Sequence, residues 1–196
     1  MSDELVIPEV TPPARIPFRE AKYFKAIQHA RAVDLVVLHS AEVGETLDGA
    51  EALMTYCAAN DRVASWHYAV DADSVTQSVL ENDVAYHAPG ANGRGIGIEL
   101  CGRARQTTEE WMDDFSIRTL ELAAWLTAGI CIRRRIPADP VDVAGLLAGK
   151  RGITTHDAVS KAWKKSTHTD PGPHFPMDHF ISRVRWWIGV SANATA

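Results

Sequence analysis

The sequence predicts an α/β domain in which a mixed central β-sheet is flanked by helices. Residues 35–38 (LVVL) form a short apolar run of the kind that becomes a strand buried on both faces. Residues 95–100 (GIGIEL) alternate apolar residues with glycine and glutamate, which is the two-residue period of a strand. Apolar residues recur at helical spacing in 47–59 and 109–133, and these stretches predict helices that cover the sheet.

Length and charge limit the classes of protein that fit the chain. With 196 residues and 46% hydrophobic content, the chain is long enough for one well-buried domain and short for two. Its net charge is −5, from 20 Lys and Arg against 25 Asp and Glu. Such a chain does not attract nucleic acid or an anionic membrane over long range, so we expect neither as a partner. The expected state is a soluble monomer.

The first ten residues and the cysteines indicate where the chain is made. The N-terminal stretch MSDELVIPEV has no basic segment followed by an apolar core, so we expect no signal peptide. No apolar run approaches the ~20 residues of a membrane span. Cys57, Cys101 and Cys131 lie far apart in apolar contexts, which predicts buried free thiols. These features favour synthesis in a reducing, intracellular compartment.

The first half of the chain predicts an extended arm, a strand, a helix and a hairpin. Residues 1–32 are rich in proline and are expected to wrap around the domain, which spans 33–189. The first strand covers 34–40 and ends near His39. Thr46 is expected to cap the helix over 47–59. The alternation in 65–71, the turn residues that follow, and the apolar residues of 75–80 predict a hairpin.

The strand over 95–100 is the most informative element of the second half. Its isoleucines and leucine share one face, whereas Gly95, Gly97 and Glu99 share the other. Because the two glycines carry no side chains, we expect open space over that face, with the Glu99 carboxylate within reach of a bound substrate.

The remaining elements are predicted from capping residues and prolines. Thr107 and Glu110 have the spacing of a capping box at the start of one long helix over 109–133. A short helical turn is expected over 141–147 and a strand end over 153–156. A last helix covers 176–188. Residues 190–196 are expected to form a tail or the start of a linker to a further wall-binding module.

Histidine and carboxylate side chains are concentrated in residues 152–176. This stretch offers His156, His168, Asp170 and His174, and the DPGP sequence that contains Asp170 predicts a rigid turn. A catalytic zinc ion takes three protein ligands and keeps one position open. His39, at the end of a buried strand, is the best candidate for the missing ligand. We therefore predict a zinc site made of His39, His156 and Asp170.

Four segments in this order resemble a known family. They are VVLHSAE (36–42), SWHYAVDADSVTQSV (65–79), DVAYHAPGANGRGIGIELCG (83–102) and THDAVSKAWKKSTHTDPGPHFP (155–176). Together they are similar to the zinc-dependent N-acetylmuramoyl-L-alanine amidases, which share a fold with peptidoglycan recognition proteins and phage amidase-type lysozymes. The resemblance extends over 33–180 without large gaps. The segment THTDPGP (167–173) is most similar to endolysins of phages that infect actinobacteria.

The resemblance implies a role for each residue of the predicted site. His39, His156 and Asp170 match the metal ligands of the family, and Glu99 matches its general base. His168 stands where many relatives carry lysine, which implies stabilisation of an oxyanion; a further zinc ligand or a solvated loop histidine are the alternatives.

Three further residues are candidates for substrate contact. His87 lies in a block that is similar to the border of the substrate groove in relatives, and Asn92 follows it in the same loop. Trp66 could offer its ring to the substrate. The alternatives are a purely structural role in the loop for His87 and Asn92, and core packing for Trp66.

The function implied by the resemblance is hydrolysis of the amide between N-acetylmuramic acid and L-alanine in peptidoglycan. Peptidoglycan is then the partner and Zn²⁺ the cofactor. An endolysin of this kind would be made in the host bacterial cytoplasm and released later to the cell wall. Two alternatives stay open: a recognition module that binds peptidoglycan without cutting it, and a zinc peptidase that cuts stem peptides. The chain lacks the HExxH pattern typical of many zinc peptidases.

Overall fold

A computed structural model describes residues 8–194 of the chain. The strands are β1 (Phe24–Lys25), β2 (Leu35–Ser40), β3 (Tyr68–Val70), β4 (Val75–Gln77), β5 (Val84–Ala85), β6 (Gly95–Leu100) and β7 (Gly152–Thr155). The helices are α1 (Gly49–Ala59), α2 (Thr108–Trp111), α3 (Asp114–Arg134), α4 (Val143–Leu147), α5 (His156–Trp163) and α6 (Met177–Ala194).

The central sheet has five strands in the order β4-β3-β6-β2-β7. Only β3 and β4 pair antiparallel; β3–β6, β6–β2 and β2–β7 all pair parallel. The prediction of a mixed α/β fold with flanking helices is confirmed. In the register of β2 and β6, His39 pairs with Glu99. The carboxyl ends of the parallel strands therefore bring these two side chains to one edge of the sheet.

One face of the sheet forms the main hydrophobic core. Val36 and Leu38 of β2 are fully buried there, together with Ile96 and Ile98 of β6. They cluster with apolar residues of α3 and α6, which lie against each other. α3 is long and apolar enough to cross a membrane by length and composition, but 72% of its most apolar window is buried inside the fold. Its composition is that of a core helix.

The other face of the sheet is covered by two separate groups of helices. α1 packs over β3 and β4, whereas α5, which also contacts α4, packs over β2 and β7. Between the two groups, β6 presents Gly95, Gly97 and Glu99 on this face because its isoleucines point to the main core. The carboxyl end of β6 consequently lies between α1 and α5.

The N-terminal segment runs extended across the sheet edge and the loops beside it. Phe18 forms a bridge with Gln77, and the backbone N–H of Ala21 donates to the carbonyl of Ser78. β1 then pairs antiparallel with β5. Ala21 is buried and Phe24 is partly buried in the cluster beneath α1. Residues 1–7 of the predicted arm lie outside the described part of the chain.

The predicted long helix is two helices, α2 and α3. The predicted capping box is confirmed, since the Thr107 side chain accepts from the N–H of Glu110 and the Glu110 carboxylate accepts from the N–H of Thr107. This helix ends after one turn because the carboxylate of Asp113 accepts hydrogen bonds from the N–H groups of Phe115 and Ser116 and starts α3.

The start of α1 also differs from the prediction. The helix begins at Gly49, and Thr46 does not cap it with its side chain. Instead, a carboxylate oxygen of Asp71, in the turn between β3 and β4, accepts from the N–H of Ala50. The other oxygen of the same fully buried carboxylate accepts from the N–H groups of Asp73 and Ser74. One side chain therefore fixes both the hairpin turn and the helix start.

Two differences affect the C-terminal part of the chain. The predicted strand end over 153–156 stops at Thr155, whose hydroxyl caps α5, so His156 is the first residue of a helix. α6 continues to Ala194, so residues 190–194, which were expected to form a tail or the start of a linker, are helical. Serine and alanine there are compatible with a helix, and the Ser191 hydroxyl donates to the carbonyl of Trp187. Residues 195–196 lie outside the description.

Replacing Asp71 by alanine should destabilise the fold strongly. The change leaves three N–H groups without their acceptor, and we expect a loss of about 2–4 kcal/mol in the free energy of unfolding. Urea unfolding followed by circular dichroism measures this loss. Asp73→Ala is the matched control, because Asp73 is an exposed aspartate in the same turn. Equal stabilities of the two variants would contradict the assignment.

Candidate metal centre

His39, His156 and Asp170 meet in a buried cluster at the carboxyl edge of the sheet. Their candidate ligand atoms all lie within 4.8 Å of one another. His39 Nδ1 is 3.0 Å from Asp170 Oδ2, and His156 Nδ1 is 3.2 Å from Asp170 Oδ1. The structure thus brings together the three residues that the sequence singled out as metal ligands.

Parallel strand pairing places the two histidines. His39 is the penultimate residue of β2, and His156 follows the end of β7, which pairs with β2 in the register Leu38 to Thr155. The two imidazole rings are consequently neighbours, with centroids 4.7 Å apart. Because each histidine is attached to a buried strand or to its end, neither ring has much freedom to move away.

A tight turn places Asp170. Its carbonyl accepts from the N–H of Asp157 in α5, and the N–H of Gly172 donates to the carbonyl of Thr169. Gly172 has a φ of 94°, and a Cβ at this position would lie 1.9 Å from the carbonyl oxygen of Ala104. Only glycine fits this close contact. The DPGP sequence therefore fixes the backbone that carries the carboxylate, as its composition predicts.

The donor set and its spacing fit a zinc ion. Two imidazole nitrogens and a carboxylate oxygen are ligands that zinc accepts, and tetrahedral ligands at 2.0–2.1 Å from zinc lie about 3.3 Å apart. The observed separations of 3.0 and 3.2 Å are close to that value. Burial alone would raise the pKa of Asp170, but hydrogen bonds from His156 and His39 outweigh it and hold that pKa well below its usual range. The carboxylate is thus ionised and ready to bind a cation.

Glu99 stands beside the cluster. Its Oε1 is 3.9 Å from His39 Nδ1, and its side chain is only 13% exposed. Burial raises the pKa of Glu99 well above its usual value, and repulsion from the carboxylates of Asp170 and Glu42 adds to this effect. A carboxylate with a raised pKa is suited to accept and return a proton near neutral pH.

The open space predicted over the glycines of β6 is absent from the described structure. A Cβ at Gly97 would lie 2.5 Å from Cγ of His87, and the His87 ring therefore occupies the face that the glycine clears. The prediction of open space over Gly97 is therefore wrong. A glycine pattern shows where a strand lacks side chains, but it does not show which loop fills the space.

His168 lies on the solvent side of the cluster. Its side chain is 59% exposed, its ring stacks on that of His156 at 4.3 Å, and its Nδ1 is 3.4 Å from Asp170 Oδ1. It is not one of the three residues whose ligand atoms converge within the described chain. This position allows His168 to reach a substrate bound over the cluster.

The three predicted substrate contacts are placed differently. Trp66 is 7% exposed, stacks on Tyr56 and packs in the cluster beneath α1, so its prediction as a substrate contact is wrong and the alternative of core packing holds. His87 is also buried, and its Nδ1 faces His39. Asn92 Oδ1 accepts from the N–H groups of His87 and Ala88. The structure thus places His87 inside the protein next to His39, where it has little exposed surface to offer a substrate, and the Asn92 oxygen is engaged by its own loop.

A row of histidines extends from the cluster into the protein. His87 contacts the ring of His39, with centroids 5.2 Å apart, and the ring of His67, with centroids 5.7 Å apart. Nδ1 of His67 accepts from the N–H of Gly97, and its Nε2 lies 3.2 Å from the carbonyl oxygen of Asp83. Burial, followed by the nearby charge of Arg31, lowers the pKa of His67 to about 3, so this ring is neutral.

Two supporting residues were missed by sequence reasoning. The Arg31 guanidinium donates to the carbonyls of Glu81, Asn92 and Gly95, and burial lowers its pKa to about 10, so it stays charged. Ser166 lies 3.4 Å from Nε2 of His156. An arginine in a proline-rich arm gives no sequence signal of such a role, and neither does a serine in a loop.

Comparison with known proteins agrees with this geometry. The family described as N-acetylmuramoyl-L-alanine amidase matches residues 29–173. A probable N-acetylmuramoyl-L-alanine amidase of Bacillus licheniformis is 31% identical over 157 residues, which covers 71% of this chain and 38% of that protein. The chain thus spans well under half the length of this curated relative.

Solved structures share the fold. The Staphylococcus aureus hydrolase AmiA in complex with its ligand has a TM-score of 0.72 at 17% identity, covering 94% of this chain and 87% of that one. A mutant endolysin from Bacillus subtilis has a TM-score of 0.61 at 20% identity, covering 87% and 98%. With a family match over most of its length and this arrangement of histidines and carboxylates, the chain belongs to the N-acetylmuramoyl-L-alanine amidase family.

Proposed function

We propose that the chain is a zinc-dependent amidase that hydrolyses the bond between the lactyl group of N-acetylmuramic acid and L-alanine in peptidoglycan. The observation that carries this proposal is the buried convergence of His39, His156 and Asp170, with the carboxylate of Glu99 beside it. Family membership supplies the reaction class, and the cluster supplies residues able to perform it.

His39, His156 and Asp170 would hold the zinc ion. The chemistry that zinc supplies when bound is Lewis acidity, which polarises a carbonyl and lowers the pKa of water to about 7. The protein supplies rigid ligands from β2, from the start of α5 and from the glycine-dependent turn. Such pre-set ligands avoid reorganisation during the reaction.

Glu99 would act as the general base and then as the general acid. Its carboxylate accepts the proton of the attacking water as the oxygen of that water bonds to the scissile carbonyl carbon. The same proton then passes to the amide nitrogen while the C–N bond breaks, which releases L-alanine as a free amine. The raised pKa of Glu99 supports both steps, because a more basic carboxylate takes a proton from water more readily.

His168 would stabilise the developing oxyanion. Its ring is exposed, stacks on His156 and lies next to Asp170, on the side from which a substrate can approach. A well-placed donor to an oxyanion contributes about 3–4 kcal/mol to transition-state stabilisation.

Two other functions remain as rivals. A recognition module would bind peptidoglycan without cutting it, and a zinc peptidase would cut stem peptides. The complete three-ligand cluster and the adjacent Glu99 favour an enzyme over a recognition module, and the family match favours an amidase over a peptidase. Mass spectrometry of digested peptidoglycan separates the three: intact wall, shortened stems, or glycan without peptides together with new L-alanine amino termini.

The biological setting that we propose is wall lysis of the endolysin type. The protein would be made in the host bacterial cytoplasm and act as a monomer after its release to the wall. The three buried free cysteines support synthesis in a reducing compartment. Lysis by purified protein added to exposed wall, with no lysis when the protein is made inside intact cells, is the expected pattern. The proposal includes zinc as the cofactor, a phage as the origin of the protein, and a further module that binds the wall.

Asp170→Ala should abolish zinc binding and wall hydrolysis while the fold is retained. The change removes one of three ligands and also the carboxylate that orients both histidines. Metal content after dialysis and release of L-alanine amino termini measure the two effects. Asp61→Ala, on an exposed surface carboxylate, is the control and should behave like the wild type. Full activity of Asp170→Ala would refute the site.

Glu99→Gln should bind zinc but hydrolyse peptidoglycan about 10²–10⁴-fold more slowly, because glutamine has the same shape and cannot accept the proton. Stoichiometric zinc in the inactive variant would separate proton transfer from metal binding. A variant with wild-type rates would exclude Glu99 as the base.

His168→Ala should lower the rate constant of hydrolysis by about 10²–10³-fold, the effect of removing one oxyanion donor. His168→Lys should recover much of this loss, since lysine also carries an N–H donor. Steady-state kinetics on a defined muropeptide would show the difference in kcat. If the alanine and lysine variants lose the same amount, His168 does not act as a donor.

A further inference from the structure

Both ring nitrogens of His39 have a partner within hydrogen-bonding distance. Nδ1 faces the carboxylate of Asp170 at 3.0 Å, and Nε2 lies 3.0 Å from Nδ1 of His87. His39 is 2% exposed, so water has little access to either nitrogen. The proposed function uses only Nδ1. The contact on the other nitrogen has no assigned role.

We propose that His87 is a positioning residue for the metal site: when Nδ1 of His39 binds a metal, Nδ1 of His87 accepts the hydrogen bond of the His39 Nε2–H and so stabilises the metal-binding tautomer of His39. This inference rests on the proposed zinc function. His87 acts through His39 and does not touch the substrate.

The position of the single proton on a neutral imidazole ring decides which nitrogen can bind a metal. A neutral ring carries one proton, and a nitrogen that binds a metal must have its lone pair available. Without a metal, Nδ1 of His39 donates to the Asp170 carboxylate. When Nδ1 is instead the metal ligand, the proton of the ring is on Nε2, and a buried N–H without an acceptor costs about 1–3 kcal/mol. His87 Nδ1 is positioned to accept this hydrogen bond. Partners of this kind, which hold a ligand histidine, typically change metal affinity by about 10–100-fold.

The surroundings hold the His87 ring in the required orientation. The ring lies over Gly97, where any side chain would collide with it, and its edge contacts His67. The backbone N–H groups of His87 and Ala88 both donate to Asn92 Oδ1, which fixes the loop from which the ring projects. Arg31 binds the carbonyls of the same loop at Asn92 and Gly95. A rigid acceptor can select one tautomer of its partner.

The other nitrogen of His87 argues against a purely structural role. When Nδ1 of a neutral His87 ring accepts, the proton of the ring is on Nε2, and Nε2 is buried and meets no hydrogen-bonding partner within residues 8–194. Stability alone favours an apolar side chain at such a position, because an unsatisfied polar atom weakens a fold. A test of His87 must therefore distinguish the effect of removing the ring from the effect of removing the hydrogen-bond acceptor.

Asparagine and leucine provide a matched pair of replacements. The two side chains have nearly the same size and shape, and both remove the ring from the face of Gly97. Asparagine keeps an acceptor, because its Oδ1 is as many bonds from Cβ as Nδ1 of histidine, whereas leucine keeps none. The experiment measures zinc dissociation constants of wild type, His87→Asn and His87→Leu by competition with a chromophoric chelator, and urea unfolding of each metal-free protein.

We expect zinc to bind His87→Leu about 10–100-fold more weakly than wild type, and His87→Asn to stay within about threefold of wild type. Equal zinc affinities in the two variants would overturn the proposal, because the acceptor then has no effect. It is also overturned if metal-free His87→Leu fails to fold while His87→Asn folds, since the hydrogen bond then serves the fold. Failure of the wild type to bind zinc would instead refute the proposed function, so the two failures are distinguishable.

Discussion

The in-register parallel pairing of β2 with both β6 and β7 is the constraint on which the site depends. It sets His39 opposite Glu99 and brings the end of β7, and with it His156, next to His39. Residues that are far apart along the chain thereby share one edge of the sheet. A shift of one residue in either pairing would turn these side chains to the opposite face, into the core made by α3 and α6.

The same arrangement places two buried carboxylates with opposite pKa shifts close to each other. Asp170 is held ionised by the histidines, whereas Glu99, with weaker contacts to them, is pushed toward its protonated form by burial and by Asp170. Two neighbouring carboxylates thus differ strongly in their affinity for protons. This difference suits a division of labour, in which one carboxylate binds a cation and the other transfers a proton.

Sequence reasoning identified the residues whose chemistry is visible in their type and spacing. The candidate ligands His39, His156 and Asp170 and the boundaries of β6 belong to this group, because strand periodicity and the DPGP turn are local signals. Features that depend on contacts between distant segments were missed. The capping of α1 by Asp71, the filling of the Gly97 face by His87 and the binding of loop carbonyls by Arg31 are of this second kind. The split between α2 and α3 had a local signal in Asp113, which the apolar periodicity around it obscured.

The contacts of Arg31 show that the N-terminal segment supports the candidate site. Its guanidinium connects the N-terminal segment to the loop that carries His87, and His87 in turn contacts a metal-ligand candidate. A fragment that begins at residue 33, just before the first strand of the central sheet, would keep every side chain of the proposed chemistry. It would still lose the hydrogen bonds from Arg31 to the loop that carries His87. The N-terminal segment is therefore part of the structural support of the site, although the central sheet begins only at Leu35.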